Sequence, residues 1–88
     1  MGRPRVRRGE FQILMDVLSE CLKGVKFTRL MYRTNLSYST LRKYLSEALD
    51  RGLVVKAFES DGSAVYCTTD KGRAVLEKLR DVKNCLSD

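Results

Sequence analysis

Residues 35–68 read NLSYSTLRKYLSEALDRGLVVKAFESDGSAVYCT, and the hydrophobic period changes inside this stretch. Asn35-Leu36-Ser37 is a tight turn, and Ser37 is a good N-cap because its hydroxyl can accept from a backbone N–H of the first helical turn. From there to about Arg51 the apolar residues Leu41, Leu45, Ala48 and Leu49 recur at helical spacing and form one stripe. Arg51-Gly52 closes the helix with a cation in the last turn and a glycine just beyond it. Leu53–Phe58 and Ala64–Thr68 are then rich in β-branched and aromatic residues, which suit strands. Asp61-Gly62 between them is a hairpin signal. The stretch is therefore expected to be a helix followed directly by a β-hairpin.

Working outward, Phe11, Leu14, Leu18, Cys21 and Leu22 repeat at three-to-four spacing, which predicts a helix from Glu10 to Leu22. Ile13 and Val17 widen its apolar face beyond the needs of one small core. Lys23-Gly24 ends it. Val25-Lys26-Phe27 is expected to be extended, and Thr28 to cap a short second helix to about Arg33, with Leu30 and Met31 inward. Downstream, Thr69 is the expected cap of a last helix from Asp70 to about Leu86, whose seam is Val75, Leu79, Val82 and Leu86. The order is helix, helix, helix, hairpin, helix: mainly α with a small β-hairpin, an α+β class. Residues 10–88 form one domain, with a C-terminal helix over 70–86, behind an arm of residues 1–9.

The 88 residues support a single domain. Seventeen Lys plus Arg stand against 11 Asp plus Glu, a net charge of +6, and the excess is uneven. Arg3, Arg5, Arg7 and Arg8 fall in the first eight residues, so residues 9–88 hold 13 basic and 11 acidic groups, a balance of only +2. Such an arm suits a polyanion, above all nucleic acid, with a solubilising tail as the plain alternative. It has no apolar face to insert into an anionic membrane. No apolar run approaches the roughly 20 residues that span a bilayer. The N-terminus has no apolar signal-peptide core, so a cytoplasmic, nucleoid-associated place is expected.

The chain has no histidine, and its three cysteines share no metal-ligand spacing. Cys21 and Cys67 occupy core-facing positions. Cys85 lies near the end of the last helix, where a Cys85–Cys85′ bridge across a dimer is the alternative to a structural role. No serine or cysteine has a histidine to activate it, and no glycine belongs to a phosphate-cradling loop. No metal, cofactor or enzymatic activity is expected.

Two short helices in tandem followed by a two-stranded hairpin make a winged helix-turn-helix arrangement, whose third helix can enter a major groove. Here that helix turns Tyr38, Ser39, Arg42, Lys43 and Ser46 outward, with Ser37 and Thr40 at its start. The short donors can approach base edges, while Arg42 and Lys43 can reach guanine or phosphate. An ordinary solvated helix face is the competing reading. The wing tip, Asp61, Gly62 and Ser63, is acidic together with Glu59, so it is expected to touch DNA weakly or not at all. The arginine arm would then take over its work. The Val75-Leu79-Val82-Leu86 seam is too short for a coiled coil by itself, yet with Ile13 and Val17 it predicts a two-fold homodimer presenting two recognition helices.

Thr28-Arg29-Leu30-Met31-Tyr32, Asn35-Leu36-Ser37-Tyr38, Leu41, Tyr44-Leu45, Gly52-Leu53, Tyr66, Thr69 and Lys71-Gly72 together resemble a family of small archaeal winged-helix proteins, transcriptional regulators or chromatin-associated DNA-binding proteins. The resemblance spans roughly residues 10–80 and leaves the arm uncovered. It implies DNA contacts from Tyr38, Ser39, Arg42 and Lys43 and dimerisation through the C-terminal helix, while Tyr44, which flanks the Leu41–Leu45 stripe, is expected in a core or supporting place. The expected function is thus transcriptional regulation on double-stranded DNA, with no small-molecule effector named. Two other readings use the same fold: sequence-neutral architectural coating of DNA, and a protein–protein module acting through the third helix or the wing.

Overall fold

Glu10 opens the first helix, α1 (Glu10–Glu20), in the computed structural model, which describes residues 9–86. The predicted arm contacts Arg3, Arg5, Arg7 and Arg8 lie outside the described residues. Past Glu20 the helix tightens into a single 3₁₀ turn over Cys21–Lys23, and Gly24 reverses the chain at a φ of 85°. Val25 then pairs with Tyr66 through two backbone hydrogen bonds of 3.1 and 2.8 Å. The extended piece thus becomes a one-residue third strand.

That pairing decides where the second helix starts. With Val25 held against Tyr66, the chain leaves extended geometry at Lys26, and α2 (Phe27–Thr34) begins one residue before the expected Thr28 cap. Asn35 ends it in the left-handed region at φ 58°, ψ 36°, which asparagine tolerates better than most residues. Ser37 caps α3 (Tyr38–Asp50) as its sequence requires, its hydroxyl accepting from the Thr40 N–H at 3.2 Å. β1 (Val54–Phe58) and β2 (Ala64–Thr68) pair antiparallel, with Val54 opposite Thr68 and Phe58 opposite Ala64. Gly62 supplies the positive φ at the hairpin turn. Thr69 precedes α4 (Asp70–Leu86) and accepts from the Gly72 N–H at 3.0 Å.

The core sits where these elements converge. Leu18, Leu30, Leu41 and Val54, one from each of α1, α2, α3 and β1, are fully enclosed. Enclosing each such side chain contributes about 1.5–3 kcal/mol. Two expectations are corrected here. Val17, read as surplus to the core, has no exposed surface, because α1 touches α2, α3 and α4 and its covered stripe is broad. Ile13 is half-buried and packs on the same cluster. Phe11, placed on the inward face of the predicted helix, is instead 69% exposed. On α4 the core residue is Leu76; Val75 and Leu79 are half-buried, while Val82 and Leu86 stand outside at 51% and 81% exposure. Among the described residues no helix is long and apolar enough to cross a membrane.

Candidate nucleic-acid interface

α3 is the element that holds the predicted contact residues, and its cap fixes how they are presented. The Ser37 hydroxyl donates to Thr40 Oγ1 at 2.9 Å and accepts from the Thr40 N–H, so both hydroxyls are engaged in starting the helix. Tyr38, in the first turn, is held by the ring of Phe27 from α2, edge to face with centroids 5.4 Å apart. Even so, 59% of Tyr38 remains open to solvent. One turn on, the Arg42 guanidinium lies 5.8 Å from the Tyr38 ring centroid. Phe27, Tyr38 and Arg42 thus form a continuous stack across the α2–α3 turn. Cation–ring contacts of this kind are worth about 0.5–1 kcal/mol at exposed sites, enough to bias the direction of an arginine without immobilising it.

Ser39, Arg42, Lys43 and Ser46 are all exposed, as the helical spacing predicts. The Lys43 ammonium rests over the ring of Tyr44, 5.6 Å from its centroid, and Tyr44 is half-buried in the supporting place expected for it. Among the described residues neither Arg42 nor Lys43 is ion-paired. Their charges are therefore available to an anionic partner.

The wing is different in character. Asp61 accepts from the Ser63 hydroxyl at 2.6 Å and from its N–H at 2.9 Å, and these bonds hold its carboxyl below the usual carboxylate range. Glu59 lies 3.8 Å from Lys26 at the base of α2. The tip of Asp61, Gly62 and Ser63 is thus anionic and closed on itself. Lys56 is the one cation on the two strands, and its ammonium lies 5.7 Å from the Phe58 ring and 6.0 Å from that of Tyr66.

The residues grouped for dimerisation separate in the structure. Val17 is interior, Ile13 and Val75 are half-buried, and Leu79, Val82 and Leu86 join Phe11 and Met15 in an open apolar groove of about 300 Å³ between α1 and α4. Phe11 was the residue missed for this groove. Its three-residue step from Leu14 gave it the appearance of a core position, and only the placement of α4 leaves it uncovered. Phe27 was missed as well, because its contact with Tyr38 joins two helices across a turn.

Three helices, the third capped and carrying two exposed cations in its first half, and an antiparallel hairpin before a last helix define a winged helix-turn-helix domain. The chain belongs to that family: the model of the winged helix-turn-helix family matches residues 7–87. An uncharacterised protein of Methanocaldococcus jannaschii, MJ0290, is 36% identical over 80 residues, which cover 90% of this chain. The chain spans only 36% of the length of that relative. Among solved structures it is similar to Sso10a-2, described as a DNA-binding protein from Sulfolobus solfataricus, with a TM-score of 0.80 and 26% identity over 89% of this chain and 81% of that one. It is also similar to a MarR-family transcriptional regulator from Silicibacter pomeroyi, with a TM-score of 0.70 and 25% identity over 78% of this chain and 49% of that one.

Proposed function

We propose that this chain is a transcriptional regulator that binds double-stranded DNA, laying the start of α3 in a major groove. The observation that carries the reading is the set of exposed residues Tyr38, Ser39, Arg42, Lys43 and Ser46 on one face of α3, with both cations free of ion pairs among the described residues. The DNA-binding description of Sso10a-2 supports it. Arg3, Arg5, Arg7 and Arg8 add phosphate contacts, and the anionic wing tip contributes little. The test is a fluorescence-anisotropy titration against a random-sequence duplex at several salt concentrations. Neutralising about five to eight phosphates should give a slope of log affinity on log salt of about −4.5 to −7. Absence of binding at low salt would overturn the reading and direct attention to a protein partner.

The same reading includes a homodimer. Phe11, Leu79, Val82 and Leu86 put large apolar groups in one groove between α1 and α4, a face that a two-fold copy would cover. Sedimentation equilibrium tests it, with Val82→Asp as the variant that should shift the protein toward monomer. Unchanged association in that variant would place the interface elsewhere.

A further inference from the structure

A second groove, of about 490 Å³, opens between α1, the C-terminal half of α3 and the start of α4. Its volume lies within the roughly 300–1,000 Å³ typical of small-molecule sites. Leu14, Ala48, Leu53 and Val75 contribute apolar lining, and Phe11 and Tyr44 bring aromatic rings to it. The remaining lining is charged in both signs: Glu10 and Glu47 on one side of the balance, Arg51 and Lys71 on the other.

All four charged side chains are exposed at the rim of the groove. Glu47 and Arg51, the C-cap of α3, stand four residues apart, about 6 Å along the axis. The acid precedes the base, which is the order that favours an ion pair within a helix. Among the described residues, however, neither Glu47 and Arg51 nor Glu10 and Lys71 are ion-paired. A ligand with charges of both signs could pair with Glu47 and Arg51 together, whereas a purely apolar ligand would pair with neither and a simple organic acid would meet Glu47.

We propose that this groove binds a free α-amino acid with a large apolar side chain. Glu47 receives the ammonium, and the Arg51 guanidinium grips the carboxylate, which a planar fork of donors does well. Lys71, in the first turn of α4, adds a second cation at a helix end that itself favours an anion. The side chain lies against Phe11 and Tyr44 over Val75. The position of Tyr44 gives the site a consequence. Its ring carries the Lys43 ammonium, so a ligand seated against that ring changes how Lys43 is presented. Binding in the groove stands without the DNA reading; only the regulatory consequence rests on it.

The test is a titration of the full chain with L-phenylalanine, 3-phenylpropionate and phenethylamine, followed by the backbone amide NMR shifts of Ala48, Leu53 and Val75. L-Phenylalanine should give a saturable shift at these amides. Each analogue, lacking one charge, should bind about three- to tenfold more weakly, the scale of one charge-assisted hydrogen bond at a partly open site. Arg51→Gln and Glu47→Gln, both at exposed positions, should each erase the advantage over the analogue that lacks the matching charge. Two results would overturn the proposal: no saturable shift with L-phenylalanine, or 3-phenylpropionate and phenethylamine binding as tightly as the amino acid. Anisotropy with and without L-phenylalanine reads the coupling to DNA separately. A failure of DNA binding leaves the NMR titrations unaffected.

Discussion

The Thr68 hydroxyl donates to the carbonyl of Leu18 at 2.6 Å, joining the end of β2 to the last turns of α1 across 50 residues of chain. Leu18 carries one of the last four carbonyls of α1, which lack a full set of intrahelical partners. Both residues are buried, so water cannot replace the donor. The wing is thus tied to the first helix by a polar bond inside the core.

Thr68→Val should accordingly destabilise the fold by about 1–3 kcal/mol, because the isosteric methyl leaves a buried carbonyl unsatisfied. Urea unfolding checks this. A midpoint equal to that of the unaltered chain would mean that the carbonyl finds another donor.

Gly72 sits where α4 crosses the link between α3 and β1. A Cβ there would collide with the backbone carbonyl of Leu53 and the methyl of Thr68. Alanine gains roughly 1 kcal/mol of helix propensity over glycine, but displacing a backbone carbonyl in a packed site costs more. Gly72→Ala should therefore lose about 1–2 kcal/mol net, a fall in Tm of roughly 4–16 °C for a domain of this size. Gly9→Ala has open space around its Cβ and meets no such clash, so it should lose less than Gly72→Ala, only the cost of an alanine at the N-cap of α1.

Burial pushes the Cys21 thiol up from its ordinary 9.0 to about 12, with Cys67 and Glu20 opposing a second negative charge nearby. In the unfolded chain the thiol loses its proton near 9.0, whereas the fold retains it until about 12. The folded state therefore holds more protons in that window, and stability should fall as pH rises from 9.0 toward 12. Cys21→Ala should flatten this slope in alkaline urea titrations. Thiolate is the nucleophile, so iodoacetamide at about pH 8 should label exposed Cys85 well before Cys21.

Arg42 distinguishes base reading from phosphate anchoring. If its guanidinium grips a guanine, Arg42→Ala should cost about 1–3 kcal/mol on a preferred site and much less on random duplex. An equal loss on every sequence would assign Arg42 to phosphate and favour architectural binding. Competition between a selected and a random duplex measures the difference directly.

Much of the fold is legible in residues that act on their near neighbours. Ser37 caps α3, Gly62 turns the hairpin and Thr69 starts α4 as expected, because each effect operates within about four residues of chain. The outward face of α3 follows the same logic. Once Leu41, Leu45 and Ala48 point inward, helical spacing puts Arg42, Lys43 and Ser46 outside.

Tertiary structure decided what depends on which elements stand side by side. Helical periodicity marked Phe11 and Val17 alike as apolar positions of α1, but could not say which would be covered. The neighbours α2, α3 and α4 enclose Val17 and leave Phe11 at the edge of two grooves. The pairing of Val25 with Tyr66, which moved the start of α2, and the close approach of Gly72 to Leu53 are of the same kind. The residues alone determined the elements and the face each one offers. Packing determined how far each face is buried, since burial is a property of two surfaces and a sequence pattern describes only one.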